Sequence, residues 1–301
     1  LTDYYDVNLK KNRHKILDTY KKFSKTIDLL ENKEALNNVL LKFKPNVVIH
    51  LAAQAGVRYS LENPKSYIDS NIVGTFNLLD SLKQHELDHL LMASTSSVYG
   101  ANEIMPFKEV QKTDTQLSIY AATKKANEVL AHSYSHVYGI PTTMFRFFTV
   151  YGPWGRPDMS LFKFTKGILE KTPIDVFNKG DMFRDLTYVD DLVKGIFHLI
   201  EAIPGKKSKK IKEDSLSPVA PFRTVNIGNS EKVPLMKFIE AIEDEVGIKA
   251  KKNFLPMQIG DVKGTLASNS LLYKLTGFLP QTNYKDGVKE FVRWFRSHYK
   301  I

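Results

Sequence analysis

The sequence predicts an α/β protein: a doubly wound parallel sheet with a smaller C-terminal lobe over the sheet's ligand-binding edge. Three observations predict it. Short apolar runs rich in β-branched residues, such as "NVVIHLAA" (Asn46 to Ala53), lack the alternation of a half-exposed strand and read as strands buried on both faces. Segments with helical spacing separate these runs. The alternation recurs at the length of βα units as far as Tyr151, then gives way to turn-rich sequence.

Taken in order, "NKEALNNVLLKFK" has helical spacing and is closed by Pro45 before the "NVVIHLAA" strand. Asn63 to His85 is predicted as one long helix, "HLLMASTSS" as the next strand, and "SIYAATKKANEVLAHSYSHVYG" as a helix stopped at Gly139. "PTTMFRFFTVYG" is predicted as a single strand, and "GPWGRPDMS" as a turn. Beyond it, "LFKFTKGILEK" is helical, "PIDVF" a strand, "YVDDLVKGIFHLIEAI" a helix and "FRTVNIG" a strand. The amphipathic helices "PLMKFIEAIEDEVG" and "YKDGVKEFVRWFRSHYK" close the chain. The expected division is 1–150 for a nucleotide-binding domain, incomplete at its start, and 151–301 for a substrate lobe, with 174–200 returning to the sheet. Ligands bind such sheets at the C-terminal ends of their strands.

The chain has 301 residues, a net charge of +10 and no cysteine, which excludes disulfides, thiolate catalysis and Cys-ligated zinc. No apolar run approaches the roughly 20 residues of a membrane span. The positive balance favours anionic partners. The lysine clumps "KKNRHK" and "GKKSKKIK" (Gly205 to Lys212) carry no interleaved aromatics, so they read as solvated loops rather than a nucleic-acid surface. No H-x-x-x-H with an acidic partner suggests a metal; His132 and His136 stand four apart with nothing acidic to complete a site, and His50 reads as a core histidine. No G-x-G-x-x-G or G-x-x-G-x-x-G occurs, although a dinucleotide-binding sheet opens on such a turn. The expectation is that about thirty residues, a βα unit and a strand, precede Leu1 in the intact protein.

The chemistry centres on "STSSVYG" and "YAATKKANE". Tyr120 and Lys124 stand one helical turn apart on one face. A free tyrosine is a poor base near neutral pH, and an adjacent ammonium favours its phenolate. With a hydroxyl from Thr95 at the end of the neighbouring strand, the trio can move a proton on or off a carbinol oxygen while a nicotinamide moves the hydride.

In context these motifs become specific. "HLAAQAGVRYS", "NIVGTFNLLD", "STSSVYG", "YAATKKANE", "RFFTVYGPWGRPDM", "FRDLTYVDD" and "NIGNSEKV" stand in the order found in the extended short-chain dehydrogenase/reductases, the sugar-nucleotide epimerases and dehydratases. Nearly the whole chain resembles that family, and "AGVRYS" with "FFTVYGPWGRPDM" resembles its UDP-glucuronate 4-epimerases. The resemblance implies a Rossmann-like fold, bound NAD, a UDP-sugar substrate, cytoplasmic location, a place in polysaccharide biosynthesis and a homodimer. Dimer contacts would lie on Ser66 to Gln84 and Ser118 to Tyr138, whose Phe76, Leu79, Leu130 and Tyr134 serve either a partner or the core. Dehydratases carry an acidic pair where this chain has Ser96 and Ser97, and relatives acting on other sugars usually have asparagine at Thr149.

Carried over by motif, Tyr120 takes the 4-hydroxyl proton, Lys124 holds the nicotinamide ribose, and Thr95 fills the hydroxyl position. Ser96 and Ser97 contact substrate or bond within the turn. The resemblance places Asp28 and Leu29 near the adenine, Ala52, Ala53 and Gln54 along the cofactor, and Phe147 near the nicotinamide. Asn71 either shapes its helix near the site or is an ordinary surface residue. Arginine forks suit a diphosphate and a sugar carboxylate. Arg184 is expected on the diphosphate, Arg156 in the turn over the nucleotide, Arg58 on either acid, Thr149 on the carboxylate and Asp261 on the uridine ribose. The activity implied is C4 epimerisation of UDP-glucuronic acid to UDP-galacturonic acid through a 4-keto sugar. The alternatives are another UDP-sugar epimerase, a UDP-glucuronate decarboxylase, or a non-catalytic nucleotide sensor on the same fold.

Overall fold

The structure, a computed structural model, describes residues 1–205 and 211–301. Most of the basic stretch Gly205 to Lys212 therefore lies outside the described residues. Two helices open the chain, α1 (Val7–Leu17) and α2 (Lys33–Phe43), the latter capped by the Asn32 side chain. Strand β1 (Val47–His50) follows, then α3 (Tyr59–Glu62), α4 (Pro64–Tyr67) and α5 (Gly74–Leu82). Next come β2 (His89–Ala93), α6 (Ile119–Tyr138), β3 (Thr142–Phe147), β4 (Thr149–Tyr151) and α7 (Ser160–Leu169). Then follow β5 (Ile174–Val176), β6 (Phe183–Arg184), β7 (Leu186–Tyr188), α8 (Val189–Leu199) and β8 (Phe222–Ile227). Strand β9 (Val233–Pro234), α9 (Leu235–Val246), β10 (Lys252–Phe254), α10 (Ser270–Thr276) and α11 (Tyr284–Tyr299) complete the chain.

The main sheet runs β1-β2-β3-β8, all parallel, with Val47 opposite His89, Leu90 opposite Thr142 and Thr142 opposite Phe222. Every residue of β2 and of β8 is buried, because helices cover both faces. On one face Leu40 of α2, Leu78, Leu79 and Leu82 of α5 and Ala131 of α6 pack on Leu90, Met92 and Met144. On the other, Leu192, Ile196 and Leu199 of α8 with Leu271 and Leu272 of α10 pack on Leu91, Phe145 and Val225. This is the doubly wound, Rossmann-like arrangement that the sequence predicts. A second core joins Phe162 of α7, Phe238 and Ile242 of α9 and Phe291 and Phe295 of α11 around β5 and β7.

Three details depart from expectation. The strand predicted over 141–152 breaks at Phe148. Beyond it β4 leaves the sheet to pair with β7, and Phe148 packs on Tyr99, Phe107 and Ala267. The strands within 174–200 do not return to the main sheet: β5 pairs with β10 and β7 with β4. Only α8 from that stretch lies on the sheet, and the returning strand is β8. The clump "KKNRHK" (Lys10 to Lys15), expected as a solvated loop, lies within α1, whose start is capped by Asp6 and whose Leu9 is buried.

Candidate active site

Helix α6 starts where Ser118, in an extended conformation, accepts from the Ala121 N–H at 3.2 Å. That start places Tyr120 in the first turn, facing the end of β2. There the chain continues as extended Thr95 and a 3₁₀ turn, Ser96–Tyr99, and Thr95 Oγ1 accepts from the Ser97 N–H at 3.2 Å. Thr95 is buried, donates from Oγ1 to Ser97 Oγ at 3.3 Å, and stands close enough to the Tyr120 phenol to favour its phenolate. The Tyr120 ring meets Tyr67 edge-on at 6.1 Å. One turn along, the buried Lys124 donates from Nζ to the Ala93 carbonyl at 2.8 Å. The three residues of the sequence-based trio therefore gather where β2 ends.

Their electrostatics differ from expectation. Burial pushes the Tyr120 phenol up; the neighbouring Thr95 hydroxyl and the Arg156 charge oppose it. The positive charge drawing the phenol down thus belongs to Arg156 rather than Lys124, whose ammonium is held by a backbone carbonyl. Burial pulls Lys124 itself down to about 8, with the Glu128 carboxylate opposing.

Behind the trio lies a buried polar network. Arg146 Nε and Nη2 donate to Glu128 Oε1 and Oε2, both at 2.9 Å, in a two-pronged pair between β3 and α6. Ser94 Oγ donates to Glu128 at 2.6 Å, and Arg146 Nη1 to the Tyr99 hydroxyl at 3.1 Å. Burial opposes the Glu128 charge, but Arg146 outweighs it and holds the carboxyl below its ordinary value. Glu128 is thus fixed one turn below Lys124 as its nearest compensating charge.

At the end of β1, Ala52 is exposed, Ala53 half-buried and Gln54 buried. Asn71 is fully buried: it accepts from the Gln54 N–H at 2.8 Å and donates to the Gln54 carbonyl at 3.0 Å and to Thr123 Oγ1 at 3.1 Å. This corrects the surface reading of Asn71. Its inward turn coincides with a π-helical segment, Ile68–Val73, which splits the predicted long helix into α4 and α5. His50 is buried, contacts Thr75 Oγ1 at 3.3 Å, and is pushed down to about 3 by burial and by Lys124. Phe147 ends β3 and stacks on Phe145 at 4.8 Å. Asp28 and Leu29 are exposed in the turn before α2, where Asp28 accepts from the Leu29 N–H.

The arginines fall into two groups. Arg58 lies over the Phe177 ring at 4.5 Å and reaches Asp261 at 3.3 Å; Arg184 approaches Asp261 at 3.9 Å and donates to the Phe183 carbonyl at 2.8 Å. Burial draws Arg184 below its ordinary value; Asp261 opposes this and Arg58 adds to it. Two guanidiniums thus share one carboxylate and keep unbalanced positive charge for an anion. The other is Arg156, held two-pronged by Asp158 at 3.0 and 2.9 Å. Burial opposes its charge, but Asp158 outweighs burial. Thr149 shares a cleft with Tyr151, Gly152, Arg156 and Met159.

Sequence reasoning missed Asp158, Tyr4, Tyr67 and the Glu128–Arg146 pair. Only Glu128 left a readable signal, since it follows Lys124 by four on a helix. Among the described residues no group of three or more His, Asp or Glu is placed to hold a metal. His132 and His136 instead bond Ser217 Oγ and the Val219 carbonyl.

The chain is similar to known proteins along its length. The family model described as "NAD dependent epimerase/dehydratase family" matches residues 3–212. A probable UDP-glucuronate 4-epimerase of Rhizobium meliloti is 51% identical over 303 residues, covering 100% of this chain and 89% of that protein. Protein CapI of Staphylococcus aureus is 50% identical over 302 residues, covering 100% and 90%. The crystal structure of a UDP-glucuronic acid 4-epimerase from Bacillus cereus, in complex with UDP-glucuronic acid and NAD, matches with a TM-score of 0.86 at 32% identity, over 97% of this chain and 87% of that one. The chain belongs to the NAD dependent epimerase/dehydratase family.

Proposed function

We propose that this protein epimerises UDP-glucuronic acid to UDP-galacturonic acid at C4, through a 4-keto sugar, with NAD as its bound cofactor. The observation that carries the reading is the gathering of Thr95, Tyr120 and Lys124 where β2 ends, with Lys124 Nζ on the Ala93 carbonyl and Arg156 within electrostatic reach of the phenol. A phenol, a hydroxyl and a guanidinium at one point suit a sugar that presents a carbinol and a carboxylate together. The 51% identity to a probable UDP-glucuronate 4-epimerase and the likeness to a structure holding that substrate support the same sugar.

The residues present fit NAD. Exposed Ala52 and half-buried Ala53 leave the end of β1 open, and Lys124 is a buried cation held by a carbonyl. Asp28, Leu29, Ala52, Ala53, Gln54, Phe147, Tyr120 and Lys124 would hold it. NAD supplies a hydride acceptor and donor at C4. Tyr120 takes the O4 proton and returns it, and Thr95 fixes O4 by hydrogen bonding. Ser96 and Ser97 line the sugar. Thr149 and Arg156 hold the carboxylate out of line with the 4-keto group, which protects a β-keto acid from losing carbon dioxide. Arg184 and Arg58 face the diphosphate, and Asp261 the uridine ribose. Residues 1–150 supply the cofactor half and 151–301 most of the sugar lobe. The protein acts in the cytoplasm as a homodimer, and its product feeds polysaccharide synthesis.

Replacing Tyr120 with Phe tests the scheme. Turnover falls by about 10²–10⁴-fold while UDP-glucuronic acid still binds. Near-normal turnover in Y120F would overturn it. Mass spectrometry of the wild-type product separates epimerisation, which conserves mass, from decarboxylation, which does not.

A further inference from the structure

We propose that Tyr4 is a positioning residue for Arg156, acting through Asp158, and that this relay sets the preference for an acidic sugar over a neutral one. The proposal rests on the reading above, in which Arg156 meets the sugar carboxylate. Asp158 holds the guanidinium by two of its edges, Nε on Oδ1 at 3.0 Å and Nη2 on Oδ2 at 2.9 Å. Nη1 has no protein partner among the described residues, and it is the edge left for a ligand. A carboxylate on a free-swinging aspartate fixes that edge poorly. Here the Tyr4 hydroxyl donates to Asp158 Oδ2 at 3.1 Å, from a residue 154 positions away.

Tyr4 is itself held firmly. Its ring packs on Tyr59 at 4.6 Å and meets Tyr5 edge-on at 6.0 Å. Its hydroxyl lies so close to Gly56 that a Cβ there would come within 2.8 Å, at a φ of +111°. Burial, with Asp158 adding, pushes the Tyr4 phenol up to about 12, so it remains a donor across the neutral range. The same segment grips the turn a second way. Arg13 donates to the Trp154 carbonyl and, at 2.7 Å, to the Tyr5 hydroxyl, and Trp154 has a φ of +62°. The turn that carries Arg156 is thus set by residues about 140 to 150 positions earlier in the sequence.

The test compares Tyr4→Phe, Arg156→Lys and the double variant with the wild type, all saturated with NAD. UDP-glucuronic acid and UDP-glucose are titrated by calorimetry, and turnover is followed. Tyr4→Phe is expected to raise Kd and KM for UDP-glucuronic acid by about 3- to 10-fold. UDP-glucose affinity, kcat and the thermal midpoint stay within about 2-fold or unchanged. In the Arg156→Lys background the Tyr4→Phe effect disappears, since the group it positions has gone. Asp158→Glu keeps the charge but displaces it, and reproduces the Tyr4→Phe pattern should that variant fold poorly. Equal loss of both sugars, no loss of UDP-glucuronic acid affinity, or independent effects in the double variant would overturn the proposal. Failure of the parent reading is separate: wild-type protein would then not convert UDP-glucuronic acid at conserved mass.

Discussion

Lys124 shows how one side chain can be structurally costly and still be retained at a site. It is 3% exposed, bonds one carbonyl, and faces the neutral His50 on one side and Glu128 on the other. Burial disfavours its charged form and pulls it from 10.5 down to about 8. The sign of its effect on stability follows. Between those two pH values the unfolded chain binds a proton that the folded chain does not, so this group's contribution to stability increases with pH across that window. The upper bound is about 3 kcal/mol. Wild type and Lys124→Met should therefore diverge in urea midpoint as pH goes from 8 to 10, the wild type gaining relative to the variant. Parallel midpoints across that range would mean that Lys124 keeps an ordinary affinity for its proton.

At the scale of elements, the segment from α4 to α5 carries the lesson about legibility. Periodicity over Asn63 to His85 predicts one helix, and the chain is helical there, but a π-turn interrupts it at Ile68–Val73. The extra residue in that turn lets Asn71 point inward and bind both backbone groups of Gln54. Nothing in local spacing announces a polar residue whose partner lies 17 positions away. Asn71→Ala would leave the buried Gln54 N–H and C=O without partners, at about 1–3 kcal/mol each. The urea midpoint should fall accordingly, and Asn71→Asp, which turns an oxygen on the Gln54 carbonyl and buries an unpaired charge, should fall at least as far at neutral pH. A midpoint unchanged in Asn71→Ala would show that water replaces the amide fully. The trio at β2 and α6 was legible for the opposite reason. Tyr120 and Lys124 obey helical spacing, and Thr95 ends a run that reads as a strand. The Arg156–Asp158–Tyr4 chain, the departure of β4 from the sheet and the failure of β5 and β7 to join it depend on long-range pairing, which no window of sequence contains.

At the scale of the molecule, the proposed homodimer can be tested on the exposed face of the α4–α5 and α6 layer. Of the four residues named from sequence, only Phe76 is exposed, at 42%. Leu79 is fully buried, and Leu130 and Tyr134 pack against the core, so of the two roles the sequence leaves open for these three it is the core that the structure gives them. The exposed apolar side chains are instead Ile68, Val73 and Phe76 on one segment, with Val129 and Val137 on α6 at 59% and 63%. Side chains this apolar in adjoining helices favour association, and each adds roughly 25 cal/mol for every Å² that a partner removes from water. Two antiparallel copies of the pair would give an isologous four-helix contact, which needs no residue outside the patch. Light scattering should therefore return about twice the chain mass of 34.4 kDa for the wild type. Phe76→Glu with Val129→Glu, both on exposed positions, should return a single chain without loss of the helical signal, because neither contributes to the core. Thr95, Tyr120 and Lys124 face the strand ends rather than this patch, so the monomeric variant should keep binding UDP-glucuronic acid. A wild type that scatters as one chain at micromolar concentration would remove the homodimer and leave these side chains as plain surface.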